Sequence, residues 1–258
     1  MNGIKLSSVI FKYGRDFTLD IASLEIPIGA LTVIAGRNGA GKTTLLKLIA
    51  GIAGRHEGII TVDGREMKKI SNTEKGRIFS YVPQSEEQEF AYTVKEIASM
   101  GRRPHGSALG ILNPEDIKAV EKALESADMA DKSSREFRTL SGGEKRLALL
   151  ARAAAQDAGA MLLDEPSAFL DIGHQAKVYE IIRGYRDKGR TVIMVTHDIN
   201  AVFETADNVI LMNGGKVMAA GAPEVVLSEN NIKEAYGFNG FGLSRNQITG
   251  KNNIFLKI

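Results

Sequence analysis

Residues 31–35 (Leu-Thr-Val-Ile-Ala), 160–163 (Ala-Met-Leu-Leu), 191–195 (Thr-Val-Ile-Met-Val) and 209–212 (Val-Ile-Leu-Met) are short continuous apolar runs. They predict strands buried on both faces, as in a parallel sheet. Apolar residues at helical spacing lie between or after them: Leu45, Leu48, Ile49 and Ile52; Val178, Ile181, Ile182 and Tyr185; Ile199, Val202, Phe203 and Ala206. Strand alternating with helix predicts an α/β core. Residues 59–62, running into Asp63-Gly64, and residues 77–82, stopped by Pro83, predict an added antiparallel layer. From about 86 to 158 the pattern turns helical. Thr93 and Glu96 are spaced as a capping box, and Asn113-Pro114-Glu115-Asp116 supplies a cap, an N1 proline and an acidic first turn before Ile117, Val120, Leu124 and Ala127. This stretch is expected to be a helical subdomain inserted into one domain of residues 1–240. The tail, 241–258, shows neither period and is assigned no element or function.

Composition narrows the classes. The 258 residues are 43% hydrophobic and 25% charged, which excludes disorder, collagen and coiled coil. With 33 Lys+Arg against 31 Asp+Glu, the net charge of +2 gives no global attraction for nucleic acid, so any bound anion must be gripped locally. Cysteine is absent, which removes disulfides and thiolate chemistry, and the four histidines lack zinc-site spacing. The N-terminus is not expected to be a signal peptide, and no apolar window reaches the roughly 18 residues of a spanning helix.

Chemistry enters at Gly36-Arg37-Asn38-Gly39-Ala40-Gly41-Lys42-Thr43, which fits G-x-x-x-x-G-K-[ST] between a predicted strand and a predicted helix. Glycines let successive N–H groups converge on β-phosphate oxygens, and a helix N-terminus adds partial positive charge. Lys42 is expected to bridge the β- and γ-phosphates, Thr43 to offer its hydroxyl to Mg²⁺ and Thr44 to reach the α-phosphate. Asp164 and Glu165 end a buried strand, where open α/β sheets bind ligands. Asp164 suits the metal's hydration shell and Glu165 the role of general base toward water. Leu140-Ser141-Gly142-Gly143-Glu144 opens a helix through Leu147, Leu150, Ala151 and Ala154. Ser141 and Glu144 have capping-box spacing, and the two glycines add a second phosphate-facing backbone surface.

At this point the chain resembles the ATP-binding cassette (ABC) ATPases, whose signature is Leu-Ser-Gly-Gly followed by a polar residue. The resemblance covers nearly the whole sequence and implies a P-loop NTPase fold with an antiparallel β layer and an inserted helical subdomain. It implies that Gln84 is the Q-loop glutamine, touching Mg²⁺ and the attacking water, and that residues 167–171, ending in Asp171, form the D-loop. His197 becomes the switch histidine on the γ-phosphate, and Tyr13 the ring stacked on adenine. It further implies two ATPs sandwiched in a head-to-tail pair, so that Ser141, Gly142 and Gly143 of one copy complete the other's site; one of each motif per chain makes a homodimer the economical expectation.

Two further stretches, residues 100–105 (Met-Gly-Arg-Arg-Pro-His) and 170–175 (Leu-Asp-Ile-Gly-His-Gln), look like the ATPase subunits of iron(III)-siderophore, haem and cobalamin importers. Such a resemblance implies separate transmembrane permease subunits, met by residues around 84 to 105, an indirect link to a solute-binding protein, and a place at the cytoplasmic face of the membrane. Ser167 stands where many relatives have threonine, and the short tail argues against the regulatory C-terminal domain of sugar-type importers. A soluble ABC ATPase of cluster assembly, or the ATPase of another transporter class, remains open.

Overall fold

The computed structural model describes residues 3–14, 17–85, 91–106 and 112–257. In chain order, β1 (Ile4–Tyr13), β2 (Phe17–Ile26), β3 (Leu31–Gly36), α1 (Lys42–Ile49), β4 (Glu57–Val62) and β5 (Arg65–Glu66) come first. They are followed by α2 (Asn72–Ile78), β6 (Phe79–Val82), α3 (Val94–Ser99), α4 (Pro114–Ser126), α5 (Gly142–Gln156), β7 (Ala160–Asp164) and α6 (Ile172–Arg186). The chain ends with β8 (Thr191–Val195), α7 (Ile199–Thr205), β9 (Asn208–Asn213), β10 (Lys216–Gly221), α8 (Pro223–Val226), α9 (Glu229–Tyr236), β11 (Phe241–Arg245) and β12 (Asn252–Leu256). By its internal contacts the chain divides into two units, residues 1–70 with 193–258, and residues 71–192.

The first unit carries an antiparallel sheet in the order β2-β1-β4-β5, and strands in the order β10-β9-β3-β8. β3 is buried along its whole length and pairs parallel to β9, as the continuous apolar runs predicted. α1 buries Leu45, Leu46, Leu48 and Ile49, while Ile52 lies beyond its end, exposed. α7 buries Ile199, Val202 and Phe203.

The tail is where this unit departs from the sequence reading. β11 and β12 form an antiparallel hairpin with Phe241 opposite Leu256. Polar groups of α7 hold it. The Asn200 amide donates to the Ile254 carbonyl (3.3 Å) and accepts from the Ile254 N–H (2.7 Å), so one side chain mimics a neighbouring strand. The Glu204 carboxylate accepts from the Thr249 hydroxyl (2.7 Å), and Lys251 donates to the Glu204 carbonyl (2.7 Å).

In the second unit β6 and β7 pair parallel, Phe79 opposite Ala160 through Val82 opposite Leu163. This corrects the expectation of an antiparallel piece at 77–82. Arg77 and Ile78 finish α2, and Phe79, Ser80 and Val82 are buried against a strand some eighty residues away, so no local turn signals the pairing. The three capping boxes form as spaced: Thr93 with Glu96, Asn113 with Asp116, and Ser141 with Glu144. α5 buries Leu147, Leu150 and Ala151, and α6 buries Val178, Ile181, Ile182 and Tyr185. On α4, Val120, Ala123 and Leu124 face inward, but Ile117 does not; Asp116 is the buried member of that turn.

Among the described residues no helix is long and apolar enough to cross a membrane.

Candidate functional site

The first unit holds Tyr13, the phosphate loop and His197; the second holds Gln84, the Ser141 turn, the two strand-end acids and Asp171. The phosphate loop leaves β3 at Gly36, whose φ is 143°. A Cβ there would sit 2.2 Å from the Met212 carbonyl oxygen of the paired strand, so only glycine closes the β3–β9 register at this point. Arg37, Asn38 and Gly39 are exposed and Ala40 is buried. Gly41 caps α1 in the left-handed region (φ 96°), and a Cβ on it would strike the Phe17 ring at 2.8 Å. α1 therefore begins with no side chain over its first turn at the cap, and Lys42, Thr43 and Thr44 open that turn. The Lys42 ammonium is buried and donates to the Gly36 carbonyl (2.8 Å) and the Arg37 carbonyl (3.0 Å), which bends it back across the loop.

Tyr13 stands at the end of β1, 75% exposed. An exposed ring on a strand end can stack a flat partner, and the strand gives it no burial of its own. His197 is exposed, one residue beyond the buried Thr196 that follows β8. The Thr196 hydroxyl accepts from the Asp198 N–H (3.2 Å), and Asp198 in turn caps α7.

In the second unit the geometry is tighter. Asp164, the last residue of β7, and Glu165 are both buried. Glu165 adopts φ 49°, a left-handed conformation that costs a residue with a Cβ about 1–2 kcal/mol and concentrates at functional turns. Its Oε2 accepts from the Gln84 Nε2 at 3.1 Å, so the structure brings together the glutamine after β6 and the acid after β7. The Asp164 Oδ2 accepts from the Tyr81 hydroxyl at 3.5 Å. Burial, then the adjacent Asp164 charge, pushes the Tyr81 phenol above its ordinary range, which keeps it a donor.

Ser141 caps α5: its hydroxyl accepts from the Glu144 N–H (3.2 Å), and the Glu144 carboxylate accepts from the Ser141 N–H (2.9 Å). Those bonds, with Lys132 at 3.2 Å, hold the Glu144 carboxyl below the usual range. Gly142 faces open space, but a Cβ on Gly143 would lie 2.5 Å from the His174 ring. That ring is itself fixed by donation from its Nδ1 to Asp171 Oδ2 (2.6 Å), and Asp171 caps α6. The Ser141–Gly143 turn and the start of α6 are thus in contact through an imidazole. Phe169, two residues before Asp171, is 99% exposed at φ 60°.

The donors that the sequence assigns to Mg²⁺ are the Thr43 hydroxyl, the Gln84 amide and the Asp164 carboxylate. All are hard oxygen ligands, and Asp164 is buried with a hydrogen-bond donor already orienting it. Among the described residues no group of three or more His, Asp or Glu could form a cage by itself. In the second unit Gln84 and Asp164 are therefore suited to a hard cation such as Mg²⁺ only when phosphate and water oxygens complete its shell.

Two residues with a part in this geometry escaped the sequence reading. Tyr81 was only a strand residue there, and Arg146 lay inside an apolar helical pattern that gives a charged residue no signal of burial. Conversely, Arg102 was expected on a permease-facing loop. It is 9% exposed, paired to Asp116 at 2.8 Å and donating to the Ala155 carbonyl at 2.7 Å. His105 Nε2 donates to the Gln156 carbonyl at 2.7 Å. Arg103 alone of the three basic groups is exposed; residues 86–90 of that segment lie outside the described residues.

Comparison with known proteins identifies the family. The ABC transporter family model matches residues 19–168. The chain is 34% identical over 235 residues to the petrobactin import ATP-binding protein FpuC of Bacillus anthracis, covering 91% of this chain and 86% of that protein. It is 34% identical over 239 residues to the hemin import ATP-binding protein HmuV of Pseudomonas fluorescens, covering 91% and 92%. Among solved structures, a chain from an inward-facing ABC transporter described as of metal-chelate type superposes with a TM-score of 0.83 at 26% identity, over 98% of this chain and 97% of that one. The family match spans more than half of the residues, and the chain belongs to the ABC transporter family.

Proposed function

We propose that this chain is the ATP-hydrolysing subunit of an importer for an iron-siderophore, haem or cobalamin-type chelate, acting as a pair of copies on a separate membrane permease at the cytoplasmic face. The observation that carries the hydrolytic part is the Gln84–Glu165 hydrogen bond at 3.1 Å beside a buried Asp164. A carboxylate and an amide held together at a strand end are the two groups needed to deprotonate and align a water.

In this reading Lys42 exchanges its bonds to the Gly36 and Arg37 carbonyls for β- and γ-phosphate oxygens. The N–H groups from Gly39 to Thr44 surround the phosphates, Tyr13 stacks on the adenine, and His197 reaches the γ-phosphate. Thr43, Gln84 and Asp164 would hold Mg²⁺. When bound, the ion neutralises phosphate charge. Glu165 takes the proton from the attacking water, which Gln84 aligns. Ser141, Gly142 and Gly143 offer their exposed turn to the nucleotide of the second copy, with Asp171 and Phe169 beside that contact. Nucleotide binding then closes the pair and hydrolysis releases it, the stroke a permease needs. The chelate assignment follows the relatives, named for siderophore, hemin and cobalamin import.

The test is Glu165→Gln. Its turnover is expected to fall roughly 10²- to 10⁴-fold while Mg·ATP still binds and two copies associate. Hydrolysis near the native rate refutes the assignment.

A further inference from the structure

Of the buried cations among the described residues that the mechanism above does not use, Arg146 faces Asp164 and Glu165. Arg146, in the second turn of α5, is 8% exposed. Its Nη1 donates to the Pro83 carbonyl at 2.6 Å and its Nη2 donates to the Gln84 carbonyl, so one guanidinium grips two consecutive carbonyls of the chain leaving β6. Burying such a charge is costly unless it is paired. Desolvation does lower the Arg146 pKa, and the charges of Asp164 and Glu165 oppose that fall. The same guanidinium therefore faces the backbone of the water-aligning residue and the two acids that residue serves.

Helix geometry ties this grip to the signature turn. Arg146 lies four residues after Gly142 and three after Gly143, hence on the same stripe of α5, and helical side chains lean toward the N-terminus. The guanidinium fork joins that helix end to the Pro83–Gln84 backbone, and the Gln84 amide joins it in turn to Glu165.

We propose that Arg146 is the positioning residue of the hydrolytic pair: it fixes the Gln84 amide on Glu165 and makes that contact follow the helix bearing Ser141, Gly142 and Gly143. The inference rests on the reading of Gln84 and Glu165 given above. A fork suits two adjacent carbonyls, whereas an ammonium reaches one at a time.

The test is steady-state ATPase of the purified full chain with Mg²⁺, for Arg146→Met, Arg146→Lys, Gln84→Ala, the Gln84→Ala/Arg146→Met pair and Glu165→Gln. Arg146→Met is expected to lower kcat roughly 10- to 100-fold, with KM for ATP changed less than about twofold and Arg146→Lys intermediate. Because Arg146 acts through Gln84, the double variant is expected to be no slower than Gln84→Ala alone. Native turnover in Arg146→Met, multiplicative losses in the double variant, or a rise in KM matching the fall in kcat overturns the proposal. If Arg146→Met does not fold, Arg146→Lys with and without Gln84→Ala closes the same cycle. Gln84→Ala and Glu165→Gln separate the levels: native rates in both refute the hydrolytic reading, whereas their loss with an unaffected Arg146 series refutes only the role of Arg146.

Discussion

Asp116→Ala perturbs the helical part of the second unit at a point where the cost can be worked from the structure. Asp116 is 2% exposed, and its Oδ1 accepts from the Arg102 Nε at 2.8 Å. Removing it leaves Arg102 buried with its charge uncompensated, keeping only the neutral Ala155 carbonyl at 2.7 Å. Breaking a buried pair in this one-sided way costs about 3–5 kcal/mol. The variant also loses the Asp116 Oδ2 acceptor of the Asn113 N–H (3.3 Å), half of the α4 capping box, so the loss belongs in the upper part of that range. For a chain of this size the melting temperature falls by roughly 6–20 °C. Circular dichroism melting reads the total, and hydrogen exchange of the α4 and α5 amides localises it, since two compact units need not unfold together. Arg102→Met/Asp116→Leu removes both charges and is expected to recover most of the loss. The pH dependence has a defined sign. The hydrogen bond from Arg102 holds the Asp116 carboxyl below its ordinary range, so its contribution is present above the unfolded value near ~3.9 and is lost as pH falls through the lower folded value. The gap between native and Asp116→Ala is thus expected to be constant at neutral pH and to close in acid. A loss under about 1 kcal/mol, or a double variant as unstable as the single, refutes the account of Arg102 as an internal group.

Two further outcomes follow from the site. Tyr13→Ala is expected to weaken ATP binding by roughly 5- to 100-fold, the worth of one aromatic–base stack, while Tyr13→Phe leaves affinity unchanged; a fluorescent ATP analogue titrated against each variant decides it. Gly143→Ala puts a Cβ 2.5 Å from the His174 ring, and that ring cannot retreat without losing its bond to Asp171. Turnover is expected to fall while the melting temperature stays within a few degrees, and Gly143→Ala/His174→Ala, which removes the obstruction, is expected to regain part of the rate.

What could be read from the sequence was whatever depends on backbone geometry or on neighbours close in the chain. Gly36 and Gly41 are legible because a Cβ at either position meets Met212 or Phe17, so the loop admits no other residue, and its spacing announces it. The capping boxes are legible because cap and partner lie three residues apart. β3, β7 and β8 are legible because burial on both faces leaves each an almost continuous apolar run, broken only by Thr32, Thr191 and the terminal Asp164. The parallel pairing of β6 was hidden, since its partner β7 is about eighty residues distant and nothing in Phe-Ser-Tyr-Val specifies direction. The terminal hairpin was hidden because side chains of α7, Asn200 and Glu204, supply the bonds that a periodic apolar face would otherwise supply. Arg102 and Arg146 show the same limit in its sharpest form. A lone arginine reads as solvated, and only the distant groups that accept its hydrogen bonds, Asp116 and Ala155 for one, Pro83 and Gln84 for the other, turn it into an interior residue. Buried charge is therefore the feature least visible in sequence and most tied to the assembled fold. For that reason the Arg146 cycle tests more than one side chain: it asks whether the signature helix and the hydrolytic pair are joined by a bond that no motif records.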